Sequence, residues 1–275
     1  MQENLLKPSN MDNEFMNVNK EMWNRKTPIH VKSKFYNNEL FLSGENSLTD
    51  IDLQYLPEVK NKRLIHLQCH FGQDTLSLER MGASCVGIDF SEIAIEQAKE
   101  MTNALNLKSN FYVSNVYDTL ELNLGKFDIV FTSYGVLAWL PDLDRWAKIV
   151  SGLLQAGGIF YIAEFHPVLY MFDFDKQVLQ FPYFNAGLAF KDEEQSTYTD
   201  HNQVFETVSY FWQHSLDETL TALMDNGMEI LRFKEFDYSP YNCFPHMKEI
   251  GQSNYQYGKP ELKLPHVFHI LAKKK

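Results

Sequence analysis

Short apolar runs alternate with helical patterns through the middle of the chain. Five runs rich in β-branched and aromatic residues predict strands over residues 63–69, 84–89, 110–114, 127–133 and 158–165. Between them, apolar residues at helical spacing predict helices over residues 74–81, 91–105 and 142–154, the last ending at a glycine pair. Near-continuous apolar strands that alternate with helices are typical of a parallel sheet covered on both faces. We therefore expect a doubly wound α/β domain.

The pattern changes after residue 165. Residues 166–212 show no sustained helical period, whereas a helix over 215–226 and strands over 228–238 and 267–272 are predicted further on, the two strands pairing antiparallel. The first sixty residues look partly helical. We predict a single domain with a seven-stranded, mostly parallel sheet. Its parts are an N-terminal cap segment (1–60), a core (61–165), an insertion after strand five (166–212) and a C-terminal helix and strands (213–275).

Composition narrows the choice of partners. The 275 residues include 25 Lys and Arg against 36 Asp and Glu, a net charge of −11, which argues against nucleic acid. Residues 1–20 show no signal-peptide pattern, and no apolar run is long enough to span a bilayer. The cysteines Cys69, Cys85 and Cys243 form no CxxC pair, which fits a reducing cytoplasm. We expect a cytoplasmic protein with neither a nucleic-acid nor a membrane partner.

The first predicted strand runs into a turn that ends at Gly72. In an open α/β sheet, helix amides converge at such a turn, and a glycine there lets backbone approach a ligand. Asp89 ends the second strand, 17 residues after Gly72, where a carboxylate can accept both ribose hydroxyls of an adenosine. An Asp at a strand end also commonly caps the next helix. Together the turn and the acid suggest an adenosyl cofactor.

Residues 64–99, 114–118 and 127–165 resemble the class I S-adenosylmethionine-dependent methyltransferases, in particular their small-molecule branch. The resemblance implies methyl transfer to a small-molecule acceptor, with S-adenosyl-L-methionine as the cofactor. It implies that the cofactor is bound by Gln68, His70, Phe71, Gly72, Asp89, Phe90, Asn115, Val116, Ser133 and Tyr134. The family places the adenine beside the positions of Phe90, Asn115 and Val116, and the methionine moiety beside those of Ser133 and Tyr134.

The first loop departs from the family pattern. The family usually has acid-x-Gly-x-Gly-x-Gly, whereas this chain has His66, Gln68 and His70 at the first three positions and keeps only Gly72. The side chains of Gln68 and His70 must therefore point away from the methionine part or onto it.

Two alternatives stay open. A nicotinamide-dependent oxidoreductase also begins with a strand, a glycine turn and a ribose-binding acid, but it needs G-x-G-x-x-G and a second substrate domain. A non-catalytic protein of methyltransferase fold, which binds the adenosyl cofactor without transferring the methyl group, is the other alternative.

Methyl transfer from a sulfonium is an in-line displacement, so a base is needed only when the nucleophile arrives protonated. His166 follows the fifth strand and is the candidate base, because imidazole titrates near neutral pH; a histidine at a strand end is also often a structural hydrogen-bond partner. Tyr134, Trp139 and Glu164 are expected near the acceptor. We expect no metal, because His66 and His70 straddle a strand and its turn without a carboxylate cluster.

Aromatic residues are abundant, with 21 Phe, 14 Tyr and 4 Trp. They concentrate in the three segments outside the core, and we expect these segments to form a lid that excludes water and holds a flat or apolar acceptor. An extra hydrophobic layer and a homodimer contact are the alternatives. The candidate rings are Trp23, Phe35, Tyr36, Tyr170, Phe172, Phe174, Phe181, Tyr183, Phe184, Phe190, Tyr238, Tyr241, Phe244, Tyr255 and Tyr257.

Overall fold

The computed structural model describes residues 11–174, 176–185, 187–199 and 204–275. Residues 1–10 of the predicted cap segment, and residues 175, 186 and 200–203 of the predicted insertion, lie outside the described residues. None of the helices within the described ranges is long and apolar enough to cross a membrane.

Helices, strands or both are present in all four parts of the chain. The cap segment holds α1 (Met11–Lys32), α2 (Asn38–Ser43) and α3 (Asp50–Tyr55). The core holds β1 (Arg63–Leu67), α4 (Gln73–Arg80), β2 (Ser84–Asp89), α5 (Glu92–Ala104), β3 (Asn110–Val113), β4 (Phe127–Ser133), α6 (Leu143–Leu153) and β5 (Leu154–Phe165). The insertion holds β6 (Phe172–Asp173), β7 (Val178–Leu179), β8 (Ala189–Glu194) and β9 (Thr207–Trp212). The C-terminal part holds α7 (Leu216–Asp225), β10 (Met228–Phe236), β11 (Lys248–Gly251), β12 (Asn254–Gln256) and β13 (Val267–Lys274).

The main sheet has the strand order β10-β13-β5-β4-β1-β2-β3. Strands β5, β4, β1, β2 and β3 are parallel, and β13 is antiparallel to both of its neighbours. The predicted fold class, a seven-stranded and mostly parallel sheet with a terminal antiparallel pair, is confirmed. Because consecutive parallel strands end at the same edge, the loops after β1, β2, β3, β4 and β5 meet there.

Local side-chain caps explain where the helices begin. Ser91 accepts from the amide of Ala94 at 3.1 Å, and Asp142 accepts from the amide of Arg145 at 2.9 Å, which satisfies otherwise unpaired first-turn amides. One boundary differs from the prediction: the chain passes at Leu154 directly from helix to strand, and the glycine pair lies inside β5. Gly157 has a φ of 74°, so it can form the irregularity where β5 shifts register against β4.

The cap segment and the insertion pack on each other. The Asn19 amide on α1 pairs with both backbone groups of Tyr210 on β9, at 2.7 and 2.8 Å, and the Phe15 ring stacks on the Tyr210 ring at 4.1 Å. Helix α1 also contacts the start of α5, where Asn24 donates to Glu92 at 3.1 Å. These contacts hold the two segments beside the sheet edge where the core loops meet.

Candidate functional site

The loop after β1 keeps the backbone shape that glycines would give it. Gln68, His70 and Gly72 have φ values of 56°, 49° and 84°, all in the left-handed region. For a non-glycine residue this conformation costs roughly 1–2 kcal/mol. The unusual loop of this chain is therefore strained at Gln68 and His70, and side-chain contacts hold it.

Gln68 bridges the first and fourth loops. Its amide nitrogen donates to the carbonyl of Val136 at 3.0 Å, which fixes the orientation of the amide. The Gln68 Oε1 atom is buried in the wall of the cavity and has no hydrogen-bond partner among the described residues. An unsatisfied buried acceptor is costly, so this atom fits a ligand donor such as the ammonium group of a methionine moiety.

His70 lines the cavity, and its ring contacts the cap segment. Its Nδ1 atom accepts from the amide of Phe71 at 2.8 Å, and its Nε2 atom lies 3.0 Å from His30 Nδ1. Burial lowers the pKa of His70 to about 3 and the pKa of His30 well below its usual range, so both rings are neutral. His30 Nε2 lies 2.8 Å from Thr197 Oγ1. One chain of hydrogen bonds thus joins the first loop to α1 and to the insertion.

Gly72 does more than open space for a ligand. A Cβ atom at this position would lie 2.8 Å from ring carbons of Phe111 and 3.0 Å from the Cβ of Ala98. Because glycine has no side chain, Gly72 lets the start of α4 pack against β3 and α5. The sequence placed Gly72 correctly at the turn, and the structure adds this packing role.

We expect the Gly72→Ala variant to lose about 3 kcal/mol of unfolding free energy, from overpacking together with left-handed strain. Gly227→Ala is the matched control: its φ is 81°, and nothing lies within 4 Å of its added Cβ. That variant should lose only about 1–2 kcal/mol. Urea unfolding measures both, and equal losses would contradict the packing role of Gly72.

Asp89 lies at the end of β2 and is buried. Its Oδ2 atom accepts from the amide of His70 at 2.8 Å and its Oδ1 atom from the amide of Ser91 at 2.9 Å. Burial raises the pKa of Asp89 to about 6. A carboxylate has about four acceptor sites, so Asp89 caps the next helix, supports the first loop and keeps capacity for a ligand hydroxyl in the cavity that it lines.

The adenine side of the predicted site lies along the loops after β2 and β3. Phe90, Asn115 and Val116 all line the cavity next to Asp89. The Asn115 side chain accepts from the amide of Tyr117 at 3.1 Å, which starts a 3-10 helix over Val116–Leu122. The structure therefore brings these three residues to the same wall as the first loop.

The loop after β4 is held by a buried carboxylate. Glu164 accepts from the amides of Val136 at 2.7 Å and Leu137 at 3.0 Å, and also from the amides of Gly135 and Phe165. Burial raises the pKa of Glu164. Its oxygens are thus used by the backbone, and Glu164 shapes the loop rather than facing an acceptor as the sequence suggested.

Ser133 is the last residue of β4 and Tyr134 follows it, and both line the cavity. Ser133 donates to Asp74 Oδ2 at 3.1 Å, and Ser47 donates to Asp74 Oδ1 at 2.7 Å. Tyr134 has a φ of 32°. Asp74 lines the same cavity as His66, and burial raises the pKa of its carboxyl group. Sequence reasoning missed Asp74, although its place two residues after Gly72 was a usable signal.

His66 carries no charge. Its Nδ1 atom lies 2.8 Å from Thr75 Oγ1, and burial lowers its pKa to about 3. The His66 Nε2 atom is buried without a partner among the described residues.

The structure does not bring His166 to the cavity. Its Nε2 atom lies 2.9 Å from Glu235 Oε1 on β10, and its Nδ1 atom accepts from the amide of Val168 at 3.2 Å. Both ring nitrogens are thus used outside the cavity wall, in the structural arrangement that the sequence left as the alternative. Trp139, by contrast, lines the cavity and packs edge-on against Trp23 at 5.6 Å.

These walls enclose a cavity of about 1120 Å³, above the roughly 300–1,000 Å³ of common ligand pockets. Aromatic rings from the three segments outside the core meet over it. Phe35 of the cap stacks on Tyr241 of the C-terminal part at 5.6 Å and contacts Tyr198 of the insertion at 5.4 Å. Phe174 of the insertion stacks on Phe244 at 5.0 Å. The volume leaves room for two ligands side by side.

No group of three or more His, Cys, Asp or Glu side chains is placed to hold a metal ion in the ranges that the structure describes.

Residues 58–232, well over half of the chain, match the family model described as "Methyltransferase domain". The chain belongs to this methyltransferase family.

Relatives and solved structures agree with the assignment. The methyltransferase is 31% identical over 130 residues to an uncharacterized methyltransferase of Synechocystis, covering 46% of this chain and 58% of that protein. It is 27% identical over 156 residues to a ubiquinone biosynthesis O-methyltransferase of Pelagibacter ubique, covering 56% and 64%. The chain thus spans less than two thirds of these relatives. The structure of an S-adenosylmethionine-dependent methyltransferase of Mesorhizobium loti superimposes with a TM-score of 0.55 at 19% identity, covering 85% of this chain and 100% of that one.

The predicted family and the predicted fold are confirmed by these comparisons. The Mesorhizobium loti structure, which is described as S-adenosylmethionine-dependent, shares the fold of this chain.

Proposed function

We propose that this methyltransferase transfers a methyl group from S-adenosyl-L-methionine to a small-molecule acceptor held beneath the aromatic rings. The observation that carries the proposal is the convergence of Gln68, Asp89 and Ser133 on one cavity at the carboxyl edge of the sheet. The family match extends across all the core strands that supply this edge.

Residues of the cavity suit both the adenosine half and the methionine half of the cofactor. Asp89 accepts from ribose hydroxyls, and Phe90, Asn115 and Val116 line the adenine side. The unpartnered Gln68 Oε1 accepts from the ammonium group, while His70 braces the loop instead of contacting the methionine part. When bound, the cofactor supplies a methyl group on a positively charged sulfur. Asp74 and the aromatic walls of the cavity favour that charge over the neutral thioether product.

The cavity is also lined by aromatic rings such as Tyr134, Tyr170, Tyr241 and Phe244, which suit a flat or apolar acceptor. The named relative acts in ubiquinone biosynthesis, which supports a ring-bearing acceptor. The net charge of −11 favours such a molecule over nucleic acid.

Location and assembly follow as further proposals. The three cysteines are unpaired, which supports a reducing cytoplasm. Self-association through the aromatic segments stays a prediction.

Affinity for S-adenosylhomocysteine should depend on pH through Asp89. The ionised carboxylate accepts the ribose hydroxyls, and its pKa is raised to about 6. Affinity should be constant above pH 7 and fall below pH 6, by about tenfold per pH unit at most. Calorimetric titrations from pH 5 to 8 check this, and affinity that rises as the pH falls would contradict it.

Transfer itself can be tested without knowing the acceptor. We would incubate the protein with methyl-labelled S-adenosylmethionine and a low-mass metabolite fraction that contains no macromolecules. The proposal predicts protein-dependent label in small organic products. Cofactor binding without any labelled product would favour the non-catalytic alternative, and absence of binding would overturn both.

A further inference from the structure

We propose that Tyr134, Thr49 and Asp52 form a proton relay that removes the proton from a hydroxyl group of the acceptor. The inference rests on the proposed function and adds to it an acceptor class, a phenol or another ring-bearing hydroxyl compound, and an assigned base. Tyr134 would be the catalytic residue that touches the acceptor, and Thr49 and Asp52 would act through it.

The three groups form an unbroken hydrogen-bonded line. Tyr134 Oη lies 2.9 Å from Thr49 Oγ1, and Thr49 Oγ1 lies 2.7 Å from Asp52 Oδ2. Tyr134 lines the cavity, whereas Asp52 is fully buried behind it. The line therefore leads from the cavity wall to a carboxylate that solvent does not reach.

The direction of each hydrogen bond follows from the ionised carboxylate. Asp52 can only accept, so the Thr49 hydroxyl donates to it. Since the Thr49 proton is used, Thr49 must accept from the Tyr134 hydroxyl. The lone pairs of Tyr134 Oη are then available to a donor in the cavity. An acceptor hydroxyl is such a donor.

The groups around Asp52 raise its pKa toward neutral pH. Burial and the nearby Asp74 raise its pKa to about 7, against the hydrogen bonds from Thr49 and Tyr161. The pKa values of Tyr134, Tyr161 and Tyr241 are raised, so these phenols stay neutral. The ring of His269 lies 5.0 Å from the ring of Tyr161, and burial lowers its pKa to about 4. Burial also raises the pKa of Asp74, whose carboxyl group accepts from Ser47 and Ser133. The pKa of about 7 places Asp52 near neutral pH, where a general base works best.

A helix cap alone does not explain the cluster. Thr49 and Asp52 do form a capping box at the start of α3, and such boxes work at exposed helix ends. Here the carboxylate is completely buried and its second oxygen accepts from Tyr161 at 2.8 Å. Tyr134 is itself held in a left-handed conformation, beside amides fixed by Glu164, as functional residues often are.

The transfer step balances along this line. The acceptor oxygen forms a bond to the methyl carbon as the bond from that carbon to sulfur breaks, and the sulfonium becomes a neutral thioether. The acceptor proton passes to Tyr134 Oη, the Tyr134 proton to Thr49, and the Thr49 proton to Asp52. Methyl ether, S-adenosylhomocysteine and neutral Asp52 result, and after the product leaves, the proton of Asp52 returns along Thr49 and Tyr134 to water in the cavity.

The relay also predicts that its hydrogen bonds reverse direction when Asp52 takes up a proton. When Asp52 is protonated, it donates to Thr49, Thr49 donates to Tyr134, and the Tyr134 hydroxyl turns its proton toward the cavity. Phenol should therefore be favoured over anisole when Asp52 is ionised, and the preference should vanish when it is neutral.

The first test measures binding without turnover. Calorimetry would first establish that S-adenosylhomocysteine binds, and the complex would then be titrated with 4-methylphenol and with 4-methylanisole. 4-Methylphenol, the side-chain analogue of tyrosine, keeps its proton at both pH values used. We expect it to bind about tenfold tighter than 4-methylanisole at pH 8 and less than twofold tighter at pH 5.5. Thr49→Val should abolish the preference, and Thr49→Ser, which keeps the hydroxyl, should retain it.

The second test measures transfer from labelled S-adenosylmethionine to 4-methylphenol, 4-methylthiophenol and 4-methylaniline. For the phenol, kcat should rise with pH through about 7. The kcat should fall roughly a hundredfold in Thr49→Val and in Asp52→Asn. In Asp52→Asn, the rise of kcat with pH should also be absent. Tyr161→Phe removes the other hydrogen bond that lowers the pKa of Asp52, so it should move the step to higher pH.

The outcomes separate the two proposals. Absence of S-adenosylhomocysteine binding would overturn the proposed function. With that binding intact, the relay is overturned by failure of 4-methylphenol to bind or react, by transfer to the thiol or amine alone, or by an unchanged pH profile in Thr49→Val. Melting temperatures and S-adenosylhomocysteine affinities of all variants separate loss of the relay from loss of the fold.

Discussion

Replacing Asp89 by Ala should raise the Kd for S-adenosylhomocysteine by about a hundredfold, because charge-assisted hydrogen bonds to both ribose hydroxyls are lost. The carboxylate also accepts from the amides of His70 and Ser91, so the first loop loses support in the same variant. Calorimetry gives the affinity and thermal melting gives the stability.

Asp89→Asn keeps one acceptor oxygen and removes the charge, so it can retain only one of the hydrogen bonds from His70 and Ser91. We expect an intermediate Kd and an intermediate loss of stability. Asp118→Ala is the control for an acid outside the cavity, since that side chain is half exposed and bonds to Arg145. Unchanged affinity in Asp89→Ala would contradict the ribose assignment.

Replacing Glu164 by Ala should lower the free energy of unfolding by about 4 kcal/mol, because several buried backbone N–H groups lose their acceptor at once. The same change frees the loop that positions Tyr134, so any turnover should fall together with stability. Urea unfolding at pH 7 measures the first effect.

Glu164→Gln should lose less, since one side-chain oxygen can still accept from Val136 and Leu137. Glu235→Ala is the matched surface control, because its side chain is half exposed, and it should lose less than about 1 kcal/mol. Equal losses in Glu164→Ala and Glu235→Ala would show that the loop does not depend on the buried carboxylate.

The parts of the fold that sequence predicts well are those set by local pattern. Alternating apolar runs placed the core strands, and short polar residues such as Ser91 and Asp142 marked helix starts, because a cap needs only the first turn that follows it. Asp89 was found for a similar reason: a fixed spacing from the glycine turn places it at the same sheet edge.

The parts that sequence could not predict depend on contacts between distant segments. His70 pairs with a histidine 40 residues away, and that histidine contacts a threonine 167 residues away. An imidazole usually titrates near neutral pH, but burial lowers the pKa of His166, and its contact with Glu235 on β10 decides its role. Nothing in the sequence distinguishes Asp52 from the many acids expected on the surface. Only the fold places it behind the cavity.

The central claim is that this cavity binds the adenosyl cofactor at Asp89, and calorimetric titration with S-adenosylhomocysteine tests it most directly. We predict one molecule bound per chain with a Kd of about 1–100 µM, within the range of common KM values, and no heat from NAD under the same conditions. Binding of NAD, or no heat with S-adenosylhomocysteine at millimolar concentration, would contradict the account.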